Sequence, residues 1–125
     1  MPAYVRYQAA VPNRRGTHPG VFALCNGLAR AGALSADDHR WWRASNDAFE
    51  RAYRDPATVD PAVFDRARHP VVSCWFKATA THLLGRVDGY LDLLDRYGVG
   101  WECVRSCDPG RVLYEDDVQV VVEPS

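Results

Sequence analysis

The chain has 125 residues, of which 47% are hydrophobic and 25% charged, and its formal net charge is -1. A domain of that length buries roughly 65–70% of its unfolded surface, so a single core can hold it without disulfides or metal. The near-neutral balance excludes a broad basic footprint for nucleic acid. No apolar run approaches the ~20 residues that span a bilayer.

The opening Met-Pro-Ala-Tyr-Val-Arg-Tyr-Gln has no apolar stretch of a secretory leader. A cytoplasmic protein with four reduced cysteines (Cys25, Cys74, Cys103, Cys107) is therefore expected.

Residues 3–8 alternate and are rich in β-formers, predicting a strand with Tyr4, Arg6 and Gln8 on one face and Val5 and Tyr7 on the other. Residues 9–18 read as a loop punctuated by Pro12, Asn13 and Gly16. Pro19 suits a first helical turn, where its missing N–H has no partner to lose, and a helix to about Arg30 would bury Val21, Phe22, Leu24, Cys25 and Leu28 before Gly32 stops it. Ser35 with Asp38 three residues later opens a second helix through about Tyr53. Trp42, Phe49 and Tyr53 share its inner face, and Trp41 points elsewhere.

Asp60-Pro61 predicts a cap and a short helix to Ala67. The run 71–76 reads as a buried central strand. Thr79 or Thr81 would cap a third long helix, with Leu83, Leu84, Val87, Tyr90, Leu91 and Leu94 at helical spacing and Gly98 at its end. Gly85 and Gly89 each cost about 1 kcal/mol there relative to alanine, and close packing against a sheet would account for both. The remainder is β: Trp101–Arg105, a turn at Asp108-Pro109-Gly110, Arg111–Glu115, a tight Asp116-Asp117 connection and Val118–Val122. The expected fold is α+β, one domain over 1–125. It has a mostly antiparallel sheet of 4–5 strands (the N-terminal strand, the central strand 71–76 and a C-terminal meander 101–122) and 3–4 helices.

Several residues could carry chemistry, each beside a plainer reading. Lys77, the one lysine among 15 basic residues, ends the central strand just before a helix, where an anion could meet unpaired N–H groups; a solvated strand end is the plainer role. Glu115 and Gln119 flank the last turn and could project into a cleft with Tyr114; a solvated acidic tip is the alternative. A buried Gln119 would need hydrogen-bond partners in either case. Arg6 on the first strand could hold negative charge or serve as a structural ion-pair partner. The basic loop Asn13–His18 could grip an anion or be solvated. Cys103-x-x-x-Cys107 lacks zinc spacing, Cys25 and Cys74 fall on apolar runs, and no metal site is predicted.

The segments Cys74-Trp75-Phe76-Lys77, Leu93–Gly98 and Asp108–Val122 (Asp-Pro-Gly-Arg-Val-Leu-Tyr-Glu-Asp-Asp-Val-Gln-Val-Val-Val) resemble uncharacterised bacterial proteins, many of them actinobacterial, over roughly the last 55 residues. That resemblance implies no activity. A looser resemblance is to small ADP-ribosyltransferase-like domains, on the chain order Arg6, Ser73, then Glu115 or Gln119. It implies NAD as cofactor, although the Ser-Thr-Ser and Glu-x-Glu patterns of that family are absent.

Two functional expectations result. The first is a small enzyme or ligand-binding domain whose cleft holds a small anionic, nucleotide-like molecule. Lys77 and Glu115 would be its catalytic residues, and Arg6, Ser73, Trp75, Tyr114 and Gln119 would bind the ligand. The second is a non-catalytic protein-interaction module or homodimer anchored by exposed tryptophans among Trp41, Trp42 and Trp101.

Overall fold

The computed structural model describes residues 3–124. Five strands, β1 (Tyr4–Ala9), β2 (Ser73–Lys77), β3 (Trp101–Ser106), β4 (Arg111–Glu115) and β5 (Gln119–Glu123), form one antiparallel sheet. Its order is β3-β1-β2-β5-β4. The helices are α1 (Val21–Arg30), α2 (Ala36–Ala52) and α3 (Thr81–Arg96). The expected α+β class, strand number and helix number all hold, and the strand predicted to be central is the middle strand of the five.

Alternation along the strands sorts the sheet into two faces. Tyr7, Phe76 and Trp101 join the main core with α1, α2 and α3, in which Val21, Cys25, Leu83, Val87, Tyr90, Leu93 and Leu94 are fully buried; Val5, also fully buried, stands opposite Phe76. Each large apolar side chain removed from water there contributes roughly 1.5–3 kcal/mol. At the centre, the Phe22 ring stands edge-on to Tyr90 at 4.8 Å, to Phe49 at 5.1 Å and to Phe76 at 6.1 Å, the perpendicular arrangement that aromatic quadrupoles favour. A second cluster, Trp75, Val120 and Val122 with Tyr4 and Val104, is made of strand residues alone. These belong to the opposite face.

Local signals explain most boundaries. Ser35 Oγ accepts from Asp38 N at 3.1 Å and so caps α2. Gly32 and Gly98, each with φ of +70°, end α1 and α3 in the left-handed conformation.

Four expectations are corrected. Pro19 lies outside α1: its carbonyl accepts from Ala9 N at 2.7 Å and Gly20 bridges to Gln8, so this stretch extends the sheet beside β1 and the helix starts at Val21. No helix spans 61–67. Asp60 Oδ1 accepts from Ala62 N and Asp65 Oδ1 from Ala67 N, and these side-chain turns displace a helical ladder; the nearby helical element is a single 3-10 turn, Pro56–Thr58, capped by Asp55. Neither Thr79 nor Thr81 caps α3, which starts after Ala80 without a side-chain cap. Finally, Gly89 makes room for a neighbouring helix and not for the sheet: a Cβ on it would overlap the ring of Trp41 from α2, whereas Gly85 has open space.

Candidate functional site

The central strand β2 contributes to both faces of the sheet, and candidate residues lie on each. On the helix side, α1, α2, the Asp55-Pro56 turn and strands β2 and β5 border a half-open cavity of about 340 Å³, with Glu50 and Asp55 at its exposed rim. That is near the lower end of small-molecule pockets. Phe22, Phe49, Tyr53 and Phe64 supply its aromatic walls, and Asn26, Asn46, Glu50, Asp55, Cys74 and Gln119 its polar groups.

Local structure fixes how these polar groups are presented. Asn26 Oδ1 accepts from Trp42 Nε1 at 2.9 Å and from Asn46 Nδ2 at 3.1 Å, while Asn46 Oδ1 accepts from the Tyr90 hydroxyl at 2.7 Å. An indole N–H can only donate, so the Asn26 carboxamide is held with its oxygen toward Trp42. Its NH₂ has no protein acceptor among the described residues. Gln119 is oriented by the same logic. It is 4% exposed and donates from Nε2 to the Arg54 carbonyl at 2.7 Å and to Asp116 Oδ2 at 3.0 Å. Its Oε1 has no protein donor among the described residues. One wall of the cavity thus offers an oriented donor and another an oriented acceptor.

Cys74 is reachable by solvent yet walled by protein. Desolvation holds its thiol above the ordinary value, Arg6 partly counteracts this, and Asp55 adds to it. Tyr53 is pushed up to about 12, first by burial and then by its acidic neighbours Cys74, Tyr90, Asp55 and Asp116.

The opposite face carries the residues on which the sequence expectation rested. Lys77 Nζ lies 3.0 Å from Glu115 Oε2, and the Tyr4 hydroxyl donates to the same oxygen at 3.3 Å. Lys77 and Glu115, proposed from sequence as a catalytic pair, therefore do meet, and their charges neutralise one another. Trp75 lies on this face with its indole N–H buried and without an acceptor. Ser73, opposite Val122, shares the face.

Arg6 fills the place where β1 and β2 part. Register pairing between them is limited to Tyr4 and Val5. The guanidinium then donates to the Cys74 carbonyl at 2.8 Å, the His18 carbonyl at 2.9 Å and Gln8 Oε1 at 3.0 Å. Desolvation lowers its pKa, partly offset by Cys74.

Tyr114 faces the helix side and donates to Asp116 Oδ2 at 2.7 Å, beside a second, more open recess with Arg54 and Asp117. Asp116 organises the last turn. Burial pushes its carboxyl up, but hydrogen bonds from Tyr114, Val118 and Gln119 outweigh that and hold it low.

Arg6, Ser73, Trp75, Lys77 and Glu115 thus share one face, and Tyr114 and Gln119 the other. The sequence reading did not anticipate Asn26, Asn46, Glu50, Asp55 and Phe64 as site residues. A signal existed for the two asparagines, because both fall on helices between apolar positions, where a carboxamide needs a partner. Of the three tryptophans considered as exposed anchors, Trp41 is 36% exposed, although its ring also meets Tyr90 at 5.1 Å; Trp42 is 7% exposed, and Trp101 Nε1 donates to Asp95 at 2.9 Å. Compared with known proteins, the chain matches no protein family, curated protein or solved structure.

Proposed function

We propose that this chain is a small-ligand-binding domain whose site is the helix-side cavity at Cys74 and Gln119. The observation that carries the reading is the pair of oriented carboxamides. Asn26 and Gln119 each spend part of their hydrogen-bonding capacity on the protein and present the rest, inside a recess walled by aromatic rings. A polar group held in this way is pre-aimed, so a ligand does not have to order it on binding.

The Lys77–Glu115 pair is the weaker candidate, because each charge is already met by the other and the pair lies on the strand face away from the cavity. The Arg6 guanidinium is spent on two carbonyls and Gln8. On this reading the ligand sits on the other side of β2 from the anion-holding residues of the sequence reading.

Cys74 makes the proposal testable without knowing the ligand. In a chain carrying Cys103→Ser and Cys107→Ser, the exposed thiol that remains is Cys74. A small-molecule fragment that raises the thermal midpoint by binding the folded state should also slow alkylation of Cys74 by iodoacetamide. Fragments that stabilise the protein while Cys74 reacts at an unchanged rate would locate binding elsewhere and overturn the reading.

A further inference from the structure

We propose that the occupant of this cavity is an organic cation, a protonated amine borne on an aromatic or similarly flat apolar body. The inference rests on the ligand-binding reading above and adds the chemical class. Three observations lead to it independently.

The first is the charge inventory of the lining. Glu50 and Asp55 bring carboxylates to the cavity, and its walls include no lysine, arginine or histidine. Glu50 has no ion-pair or hydrogen-bond partner among the described residues. Asp55 uses Oδ1 to cap the Pro56 turn, accepting from Ala57 N at 2.9 Å, and keeps Oδ2 available. Arg6 acts on Cys74 from the strand backbone, where its donors are engaged with the Cys74 and His18 carbonyls and Gln8. The ionisable carboxyls of the lining are therefore unopposed by any basic residue in it, and an anion entering the recess would meet like charge.

The second is Gln119. Its side chain is among the most buried polar groups of the protein, and its Oε1 is left to accept. An acceptor fixed in the wall of the recess is met best by an N–H or O–H from the occupant.

The third is the aromatic surround. Phe22, Phe49 and Tyr53 stand nearly perpendicular to one another in sequence, with Phe22–Phe49 planes at 69° and Phe49–Tyr53 planes at 85°. Ring faces attract cations through their quadrupole and offer nothing comparable to an anion. The Asn26 NH₂ donors would then receive an acceptor, such as a hydroxyl or carbonyl, elsewhere on the ligand.

Three probes of nearly equal size separate the cases: phenethylammonium, 2-phenylethanol and 3-phenylpropanoate, each titrated at pH 7 by calorimetry and by protection of Cys74 from iodoacetamide. The ammonium should bind about tenfold more tightly than the carboxylate and severalfold more tightly than the alcohol, an advantage that added salt should shrink. Glu50→Gln and Asp55→Asn should each weaken the ammonium about three- to fivefold and leave the alcohol unchanged. If ammonium and alcohol bind equally, or if the two variants treat them alike, the cation inference fails while the cavity remains a binding site. If no probe protects Cys74 at millimolar concentration, the inference and the binding-site reading fail together.

Discussion

The two faces of the sheet in this protein solve the same problem differently. The helix side buries aromatic rings edge to face around Phe22 and leaves a recess where α1, α2 and the Asp55-Pro56 turn do not close. The opposite face carries a small apolar cluster around Trp75, bordered by the Lys77–Glu115–Tyr4 group and the Arg6–Gln8 contact, all from strands. The charged and carboxamide side chains on that face are engaged by neighbours, and the buried Trp75 N–H is left without an acceptor. In the cavity, some polar groups are paired and some left over. The two faces differ in access: the unmet N–H of Trp75 is sealed among strand residues, whereas the spare valences of Asn26 and Gln119 open on the recess.

Substitutions can break or sharpen that contrast. The largest effect should come from Tyr90→Ala, which empties a fully buried position and strands Asn46 Oδ1; a loss of about 3–5 kcal/mol is expected in urea unfolding. The two glycines of α3 come next. Gly89→Ala should cost about 1–2 kcal/mol, because the helix-propensity gain is overtaken by displacement of the Trp41 ring, whereas Gly85→Ala, with open space around it, should stabilise by up to about 1 kcal/mol. Opposite signs for these two would confirm that α2, and not the sheet, dictates the glycine at 89. Equal signs would refute it.

On the strand face, Trp75→Phe should cost less than its loss of volume implies, since it removes a buried N–H that has no acceptor. The smallest effect belongs to Lys77→Ala, at most about 1 kcal/mol for a partly exposed ion pair.

Titration tests the helix side as a whole. Burial pushes Cys25, Tyr53 and Tyr90 up to about 12. Because the folded values lie above the unfolded ones of 9.0 for the thiol and 10.0 for the phenols, their contribution is complete below pH 9 and declines as pH rises toward 12. Absorbance at 295 nm should show the Tyr53 and Tyr90 phenols ionising only as the circular dichroism signal is lost. Smooth ionisation of both in a folded protein would contradict their burial.

The elements were legible where the cause is local. The Ser35 cap, the Gly98 stop and the Arg111–Glu115 strand need only a few neighbouring residues to specify them, and they stand where periodicity and turn chemistry put them. The Asp60–Ala67 stretch misled because Asp60 and Asp65 suit a helix cap and a side-chain turn equally, and tertiary context decides between them. At the candidate site, Lys77, Glu115 and Trp75 were legible as a group because strand alternation and register are short-range rules. Gln119 was legible as a buried carboxamide needing partners. The cavity was not, since it arises from the distance between α2 and the 55–64 turns, a quantity that no residue pattern encodes locally. Asn26 illustrates the limit: its role depends on Trp42, 16 positions away, and on Tyr90 beyond that through Asn46.

The Trp42–Asn26 hydrogen bond has a practical consequence. An indole whose N–H rests on a carboxamide lining the cavity is coupled to whatever that carboxamide touches. The protein therefore carries an intrinsic optical gauge at the cavity wall: an occupant that draws on Asn26 would alter the polarity felt by the Trp42 excited state, and the emission maximum would register occupancy without any label attached.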